Sequence, residues 1–523
     1  MLNRRDLLRT AAAATPAVLM GRATAVAQER PSAAGMNVVL FISDQERAIQ
    51  HFPTGWAREN LPGFTRLQSH GLTFENAFTN ACMCSPSRAT MLTGYMPAQH
   101  GVKYTLEENM PNDQYPQVEL PLDLANLATV MSAAGYDVVY KGKFHLVKPA
   151  GSTWSPEDVG QYGFTRWNPP DAGANQDVDQ AGGGVTDNDG RYMDSVGDVE
   201  SGTEGILQYL NGPAKTSERP FFLIVSLVNP HDVLMYPKNF EEAGYDASWY
   251  DGDIRLPATV NEDLSTKPTC QEDFIKLFAL SGPLVTPRRQ RRYLNFYGNL
   301  MKQADRYLVE ILDTLQSNGM TDDTLVIRTS DHGEMGMTHG GMRQKVFNVY
   351  EETLRVPLVY SNPRLFPKAR RSEQLVSHVD FLPTMAGLLG APASARRAWA
   401  GVDYSGHILG TAKGSVQNDI VFTFDDFQCG QASPPYVPQP NHIISVRERR
   451  YKIARYYDPS GKERSEWEMY DLRKDPLERR NIAHPSTRRT PHEKQELRRL
   501  KRKLARVQRT QLKPLPQTLT AIG

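Results

Sequence analysis

Four short apolar runs each break off into residues that carry metal-ligand or proton-transfer chemistry. NVVLFIS (37–43) runs into Asp44-Gln45 and YDVVY (136–140) into Lys141-Gly142-Lys143-Phe144-His145. FFLIVSLV (221–228) runs into Asn229-Pro230-His231-Asp232, and TLVIRTS (324–330) into Asp331-His332-Gly333-Glu334. Asp44, Gln45, Asp331 and His332 offer carboxylate, carbamoyl and imidazole donors suited to one divalent cation. The oxygens favour Ca²⁺, Mg²⁺ or Mn²⁺, and the imidazole tilts the choice toward Mn²⁺ or Mg²⁺. Lys143, His145, His231 and Lys345 add positive charge and groups able to move protons. A metal flanked by cations is an anion site. Taken singly, each cluster has a plainer reading, because an Asp after a strand is often a helix cap and a His after Pro a turn residue. Four together argue against coincidence.

The elements that must position these residues follow from the pattern around them. The runs are rich in β-branched and aromatic residues without strict alternation, which suits strands covered on both faces of a mostly parallel sheet. Helical periodicity lies between them, in LDLANLATVMSAAGY (122–136) and YLNFYGNLMKQADRYLVEILDTLQSNG (293–319). This alternation predicts an α/β fold. In such sheets ligands bind beyond the carboxyl ends of the strands, where all four clusters sit. After about residue 410, DIVFTFDD, HIISVRERRYKIARYYD and WEMYDLRKDPLERRNIA read as short alternating strands with turns, predicting a small antiparallel sheet.

Cys84 stands in TNACMCSPSRATMLTGYMPAQHG (79–101), directly before Ser85-Pro86-Ser87-Arg88 and a helix-like run ending at Thr93-Gly94. Cys82, Cys84, Cys270 and Cys429 form no CxxC pair, so neither a thiolate metal site nor a disulfide framework is implied, although Cys270 and Cys429 could pair after export. Cys84, Pro86, Arg88, Thr93 and Gly94 match the C-x-P-x-R-x-x-x-x-T-G signature of type I sulfatases. Chance would supply five fixed residues at that spacing on the order of once in ten thousand chains of this length. GYDVVYKGKFH (135–145) resembles the second signature of the family, and SDHGEMGMTHGGMRQKVFNVYEETLRVP (330–357) resembles its metal- and sulfate-binding segment. The likeness covers most of Asn37 to Pro363 and weakens over residues 151–205 and 241–283, where substrate choice would lie.

The resemblance implies a large, mostly parallel mixed sheet sandwiched by helices, alkaline phosphatase-like, with a small C-terminal antiparallel α+β subdomain. It implies a sulfuric ester hydrolase in which Cys84 is oxidised to formylglycine by a formylglycine-generating enzyme. A hydrated aldehyde has two hydroxyls, one to attack sulfur and one to expel the product, which a thiol lacks. Asp44, Gln45, Cys84, Asp331 and His332 would hold one divalent ion, Ca²⁺ by family, with Mn²⁺ or Mg²⁺ as alternatives. Lys143, Lys345 and Arg88 would neutralise charge on the sulfuryl oxygens. His231 or Lys345 would protonate the leaving oxygen, and His145 would take the proton from the second hydroxyl. Many sulfatases carry Asp-Asp and Asp-Asn where this chain has Asp44-Gln45 and Asp331-His332. That substitution resembles the choline sulfatase and phosphonate monoester hydrolase branch of the superfamily, which makes a phosphonate or phosphate ester hydrolase the competing activity. A silent anion-binding protein is the reading from another class.

The ends and the totals bound the partners. The chain has 523 residues, 40% hydrophobic and 23% charged, with a net charge of +1 that gives no case for nucleic acid. NRRDLLRTAAAATPAVLMGRATAVAQ has Arg4-Arg5, an apolar run and Ala25-Val26-Ala27, and resembles a twin-arginine export signal. The run Ala11 to Met20 is too short to span a bilayer. The expected organisation is a signal at residues 1–27, a catalytic domain at 28–410, an antiparallel subdomain at 411–485, and a basic helix and tail at 486–523, in a periplasmic or secreted protein. In the C-terminal segment, Leu497, Leu500, Leu504 and Val507 form one stripe among Arg and Lys, predicting an amphipathic helix packed on the body with a solvated basic face. AGGGVTDNDG (181–190) is expected to be a flexible surface loop, and His100 and His339 to be turn residues.

Overall fold

Val38, Leu40 and Ile42 fall in one buried apolar cluster and the intervening Val39 and Phe41 in another, so strand β1 (Asn37–Ser43) is covered on both faces. This is why the run lacks polar alternation. The computed structural model describes residues 32–48, 51–175, 177–194, 197–234 and 236–515. The twin-arginine segment lies outside them.

The large sheet contains β1, β2 (Gly71–Phe78), β3 (Asp137–Gly142), β4 (Phe221–Ser226), β5 (Thr324–Ser330), β6 (Leu358–Ser361) and β7 (Arg370–Ser377), in the order β3-β4-β1-β5-β6-β2-β7. Only β6 runs against the rest, being antiparallel to both β5 and β2. The register aligns the strand ends: Gly142 and Ile42 both pair with Ser226, and Ser43 pairs with Ser330. The next residues, Lys143, Asp44 and Asp331, therefore emerge side by side. Helix α1 (Cys84–Thr93) follows β2, and α2 (Leu127–Ala133) leads into β3. Helix α3 (Thr269–Phe278) precedes the long α4 (Pro287–Ser317), whose Ala304, Leu308, Ile311 and Leu315 cover one sheet face.

A second sheet, β8 (Asp419–Phe424), β9 (His442–Glu448), β10 (Tyr451–Tyr457) and β11 (Glu466–Asp471), is wholly antiparallel in the order β11-β10-β9-β8. Helix α5 (Pro491–Thr510) opens on a capping box, with Thr490 and Glu493 each accepting from the other's backbone N–H. Its Leu500, Leu504 and Val507 are buried with Ile444, Val446, Ile453 and Met469, while Lys494, Arg498, Arg502 and Arg509 face solvent. The α/β class and the small antiparallel sheet expected from the sequence are thus observed. No helix among the described residues is long and apolar enough to cross a membrane.

Residues 181–190 meet the expectation of a surface loop only at the tip, where Gly184, Val185 and Asp187 are exposed; the two ends are anchored. Gly182 and Gly183 donate their N–H groups to the Asp232 carboxylate, and Asp189 accepts from Val228 and Asn229. Buried carboxylates need such donors, so Gly182, Gly183 and Asp189 pack beneath the His231 turn. Cys82, Cys84, Cys270 and Cys429 are all free thiols.

Candidate active site

Helix α1 presents Cys84 in its first turn, beneath the ends of β1 and β5. The Cys84 Sγ lies 3.3 Å from His332 Nε2 and donates to Asp44 Oδ1 at 3.7 Å. Asp44, Cys84, Asp331 and His332 each place one donor atom within 4.8 Å of the others, all buried. His332 Nδ1 sits 3.1 Å from the Gly333 carbonyl, which can only accept, so Nδ1 carries the hydrogen and Nε2 turns its lone pair into the cluster. Burial, and then the Asp44 charge, push Asp331 up to about 7, while Lys143, His231 and Arg88 overcome burial and hold Asp44 well below the carboxylate range. Two buried carboxylates competing for positive charge beside an imidazole lone pair fit a divalent cation.

Arg88 serves that cluster from behind. Its Nη2 donates to Asp44 Oδ2 at 3.0 Å and its Nε to Asp331 Oδ2 at 3.2 Å. Its Nη1 donates to the Lys143 carbonyl and Ser226 Oγ at 2.9 and 2.7 Å. Each guanidinium nitrogen is thus engaged and Arg88 is absent from the cavity wall, so it positions the carboxylates, where the sequence suggested direct contact with sulfuryl oxygens. Gln45 also stands apart from expectation. Its Oε1 accepts from Lys345 Nζ at 2.7 Å and its Nε2 donates to Glu334 at 2.6 Å, so the amide aligns Lys345 beside the cluster.

Lys143 Nζ lies 2.7 Å from Asp44 Oδ2 without the alignment of a hydrogen bond, which leaves its N–H bonds free for a further anion. His145 has φ of 59° and is fixed by Asp171, whose carboxylate accepts from the Phe144 and His145 N–H groups at 2.9 and 2.7 Å. Its Nε2 is 2.6 Å from the Leu106 carbonyl and so bears the hydrogen, while Nδ1 has no partner among the described residues. Burial, then Lys143 and Arg88, hold His145 well below its ordinary range, and burial with Lys143 does the same for His231. His145 is a neutral base with a free lone pair. Burial, and then Asp44, push the Cys84 thiol up to about 12.

Cys84, His145, His231 and Lys345 share a cavity of about 270 Å³. Its wall draws Gly173 and Asn175 from one loop-rich stretch where substrate choice was expected, and Phe274 to Ser281 from the other. The rest of the motif is structural. Gly94 ends α1 at φ of 71°, where a Cβ would meet the Trp399 ring at 2.9 Å. Ser87 Oγ donates to the Asp331 carbonyl at 2.5 Å, and Ser85 Oγ accepts from Leu106 N at 2.8 Å. His100 bonds Thr90, and His339 stacks on Tyr350 and bonds Glu262, so both are buried structural residues. Asp171, Ser226 and Glu107 were missed by sequence reasoning, and Glu334 was read only as part of the cluster after β5. Asp171 alone lay in a polar stretch, NPPDAG, that hinted at a turn.

The family model described as Sulfatase matches residues 36–391, and that described as N-sulphoglucosamine sulphohydrolase, C-terminal, matches residues 339–510. The chain is 26% identical over 426 residues to the Delta 4,5-hexuronate-2-O-sulfatase of Bacteroides thetaiotaomicron, covering 79% of this chain and 78% of that protein. It is 25% identical over 469 residues to the choline-sulfatase of Rhizobium meliloti, covering 86% and 82%. Its fold is similar to that of the phosphonate monoester hydrolase from Silicibacter pomeroyi, with TM-score 0.65 and 20% identity over 92% and 96% of the two chains.

Proposed function

Starting from the fact that the chain belongs to the sulfatase family, and so is an enzyme that hydrolyses sulfate esters, we propose that it works through formylglycine made from Cys84 beside one divalent ion. The observation that carries the reading is Cys84 itself, at the start of a helix inside the matched motif and buried against Asp44 and His332.

Asp44, Asp331 and His332 would hold the ion, with the Gln45 amide alongside, and Ca²⁺ by family or Mn²⁺ or Mg²⁺ would fit the donors. When bound, such an ion lowers the pKa of a hydroxyl and stabilises charge on sulfuryl oxygens. Lys143 and Lys345 bring two ammonium groups to the same anion, and the N-terminus of α1 adds its dipole. His231 and Lys345 line the cavity; Lys345 is the charged donor from which a departing oxygen can take a proton, with His231 held neutral beside it by burial and Lys143. His145, held at Nε2 by the Leu106 carbonyl and at its backbone N–H by Asp171, receives a proton at Nδ1 in the step that frees sulfate. Arg88 keeps both carboxylates in place throughout.

A peptide mass spectrum of protein from its native host tests the modification: the Cys84 peptide should be lighter by H₂S less one oxygen. An active enzyme with Cys84 wholly as thiol would sink it. Phosphonate ester hydrolysis is the second reading, favoured by the neutral Gln45 in the Asp-Gln and Asp-His pairs. Matched sulfate and phosphonate esters assayed side by side separate the two. Export by the twin-arginine route to the periplasm or beyond is proposed from Arg4-Arg5 and Ala25-Val26-Ala27. An Arg4→Lys, Arg5→Lys chain that is still exported through that route would contradict it.

A further inference from the structure

We infer that the cavity above Cys84 admits the sulfate monoesters of small, hydrophobic, uncharged alcohols; this rests on the sulfate-ester reading and names its substrate class. Beyond the anion-binding floor, one side of the wall is carbon: Phe274, Leu277 and Phe278 of α3, then Leu280, joined by Leu234 and Val346. Leu280 at the rim is 78% exposed, a large apolar side chain that gains burial only when something fills the space beside it.

This wall is fixed in place. Arg343 donates to the Tyr236, Phe278 and Gly282 carbonyls at 2.9, 3.3 and 3.1 Å, and its guanidinium lies 4.4 Å from the Phe278 ring centre. At the other end of α3, Gln271 Oε1 accepts from Tyr350 at 2.8 Å. A wall held at both ends presents a preformed apolar surface, so little ordering cost is charged against binding.

Charge narrows the class further. Lys345 is the only Lys or Arg of the described lining, and the acidic side chain there is Glu107. A second anionic group on the substrate, a carboxylate or another sulfate, would find no counter-charge in that lining beyond Lys345. Burial, then Asp426, push Glu107 up to about 8, so near neutral pH it offers little charge to a cationic alcohol. The amide nitrogen of Gln344 is given to the Leu234 carbonyl at 2.6 Å and Asn175 Oδ1 accepts from Asp177 N, so the hydroxyls of a polyol would have Thr105, Ser281 and Gln431 as partners but not the apolar side formed by α3. At about 270 Å³ the cavity is at the small end of ligand pockets and suits one ring or a short chain rather than an oligosaccharide.

The test uses the mature, metal-loaded enzyme with methyl, butyl and hexyl sulfate, choline sulfate and glucose 6-sulfate, all esters of primary alcohols, following sulfate release. The kcat/KM value should rise about threefold to fourfold per methylene while the chain remains in the cavity. Hexyl sulfate should exceed both choline sulfate and glucose 6-sulfate. A flat series, or preference for the sugar or the quaternary ammonium ester, would overturn the inference. Leu280→Ser and Phe278→Ala should each lower the hexyl-to-methyl ratio severalfold, and an unchanged ratio in both would count against the wall. A thermal-shift titration with the same esters reads binding without turnover. Stronger stabilisation by hexyl than by methyl sulfate, with no sulfate released from any ester, would uphold the cavity assignment and refute the activity. Equal shifts would refute the cavity assignment.

Discussion

The His145 imidazole states its own role through its bonds, because a carbonyl on Nε2 and an empty Nδ1 fix both tautomer and direction. His145→Ala should release a stoichiometric burst of alcohol and then slow by about 10²–10⁴-fold, the usual contribution of a general base. Rapid-quench kinetics would show it, and steady turnover at the parental rate would remove Nδ1 from the reaction. Arg88 predicts a different signature. Lysine keeps the charge but cannot reach Asp44, Asp331, the Lys143 carbonyl and Ser226 together. Arg88→Lys should therefore cost on the order of 3 kcal/mol in urea unfolding and weaken metal retention in dialysis. Loss of turnover with stability and metal content intact would return Arg88 to the substrate. At this scale the residues of the cluster were legible, because donor types and a motif survive without coordinates. Their orientation was not. Gln45 reads as a ligand in sequence, yet Lys345 and Glu334 hold its amide in the structure, and these partners lie 300 and 289 residues away along the chain.

Among the elements, β1 and β5 begin and end where the sequence pattern placed them, since strands buried on both faces leave a continuous apolar run. Strands β2, β6 and β7 left no such trace. The four residues of β6 are too few to show a period, and the first half of β7 is largely exposed and carries Arg370, Arg371 and Glu373. The wall helix α3 was likewise silent, because its apolar face lines a cavity as well as a core. Where a strand hands over to the site, backbone geometry is specified closely. Gly142 has φ of 96°, and a Cβ there would stand 2.0 Å from the Ser226 carbonyl, the acceptor for Lys143 N. Gly142→Ala should cost about 1–3 kcal/mol of strain and shift Lys143 from Asp44, lowering kcat more than thermal stability suggests. Parental kcat in a protein with lowered Tm would show that Lys143 tolerates the shift.

Across the whole molecule, the small sheet braces the site from two directions. Asn80, four residues before Cys84, donates to the Val421 carbonyl at 2.8 Å and accepts from Thr423 at 3.0 Å, both on β8. Glu351, six residues after Lys345, meets Arg447 of β9 and Lys452 of β10, each at 3.0 Å. Glu478 completes the buried network, 2.6 Å from Lys452 and accepting from Glu351 N at 2.8 Å. The two carboxylates are unequal. Burial opposes the charge on Glu351, but Lys452 and Arg447 together hold it well below the usual range. Glu478 shares only Lys452 and faces Glu351 and Glu352, so burial pushes it up to about 8. A carboxyl whose folded value is raised adds stability that is complete below its unfolded value of about 4.5 and is lost as pH rises through about 8. Glu478→Gln, which cannot ionise, should therefore gain on the parent enzyme in urea stability as pH rises from about 5 to 8, with the difference constant above that. Glu351→Gln should lose about 3–5 kcal/mol at neutral pH by leaving Arg447 and Lys452 underpaired. Its deficit should shrink only in acid, because a depressed carboxylate contributes above its unfolded value and loses that contribution as pH falls toward the folded one. If both variants lose stability equally across the range, the proton does not reside on Glu478, and the network is a symmetric clamp between Lys345 and the small sheet.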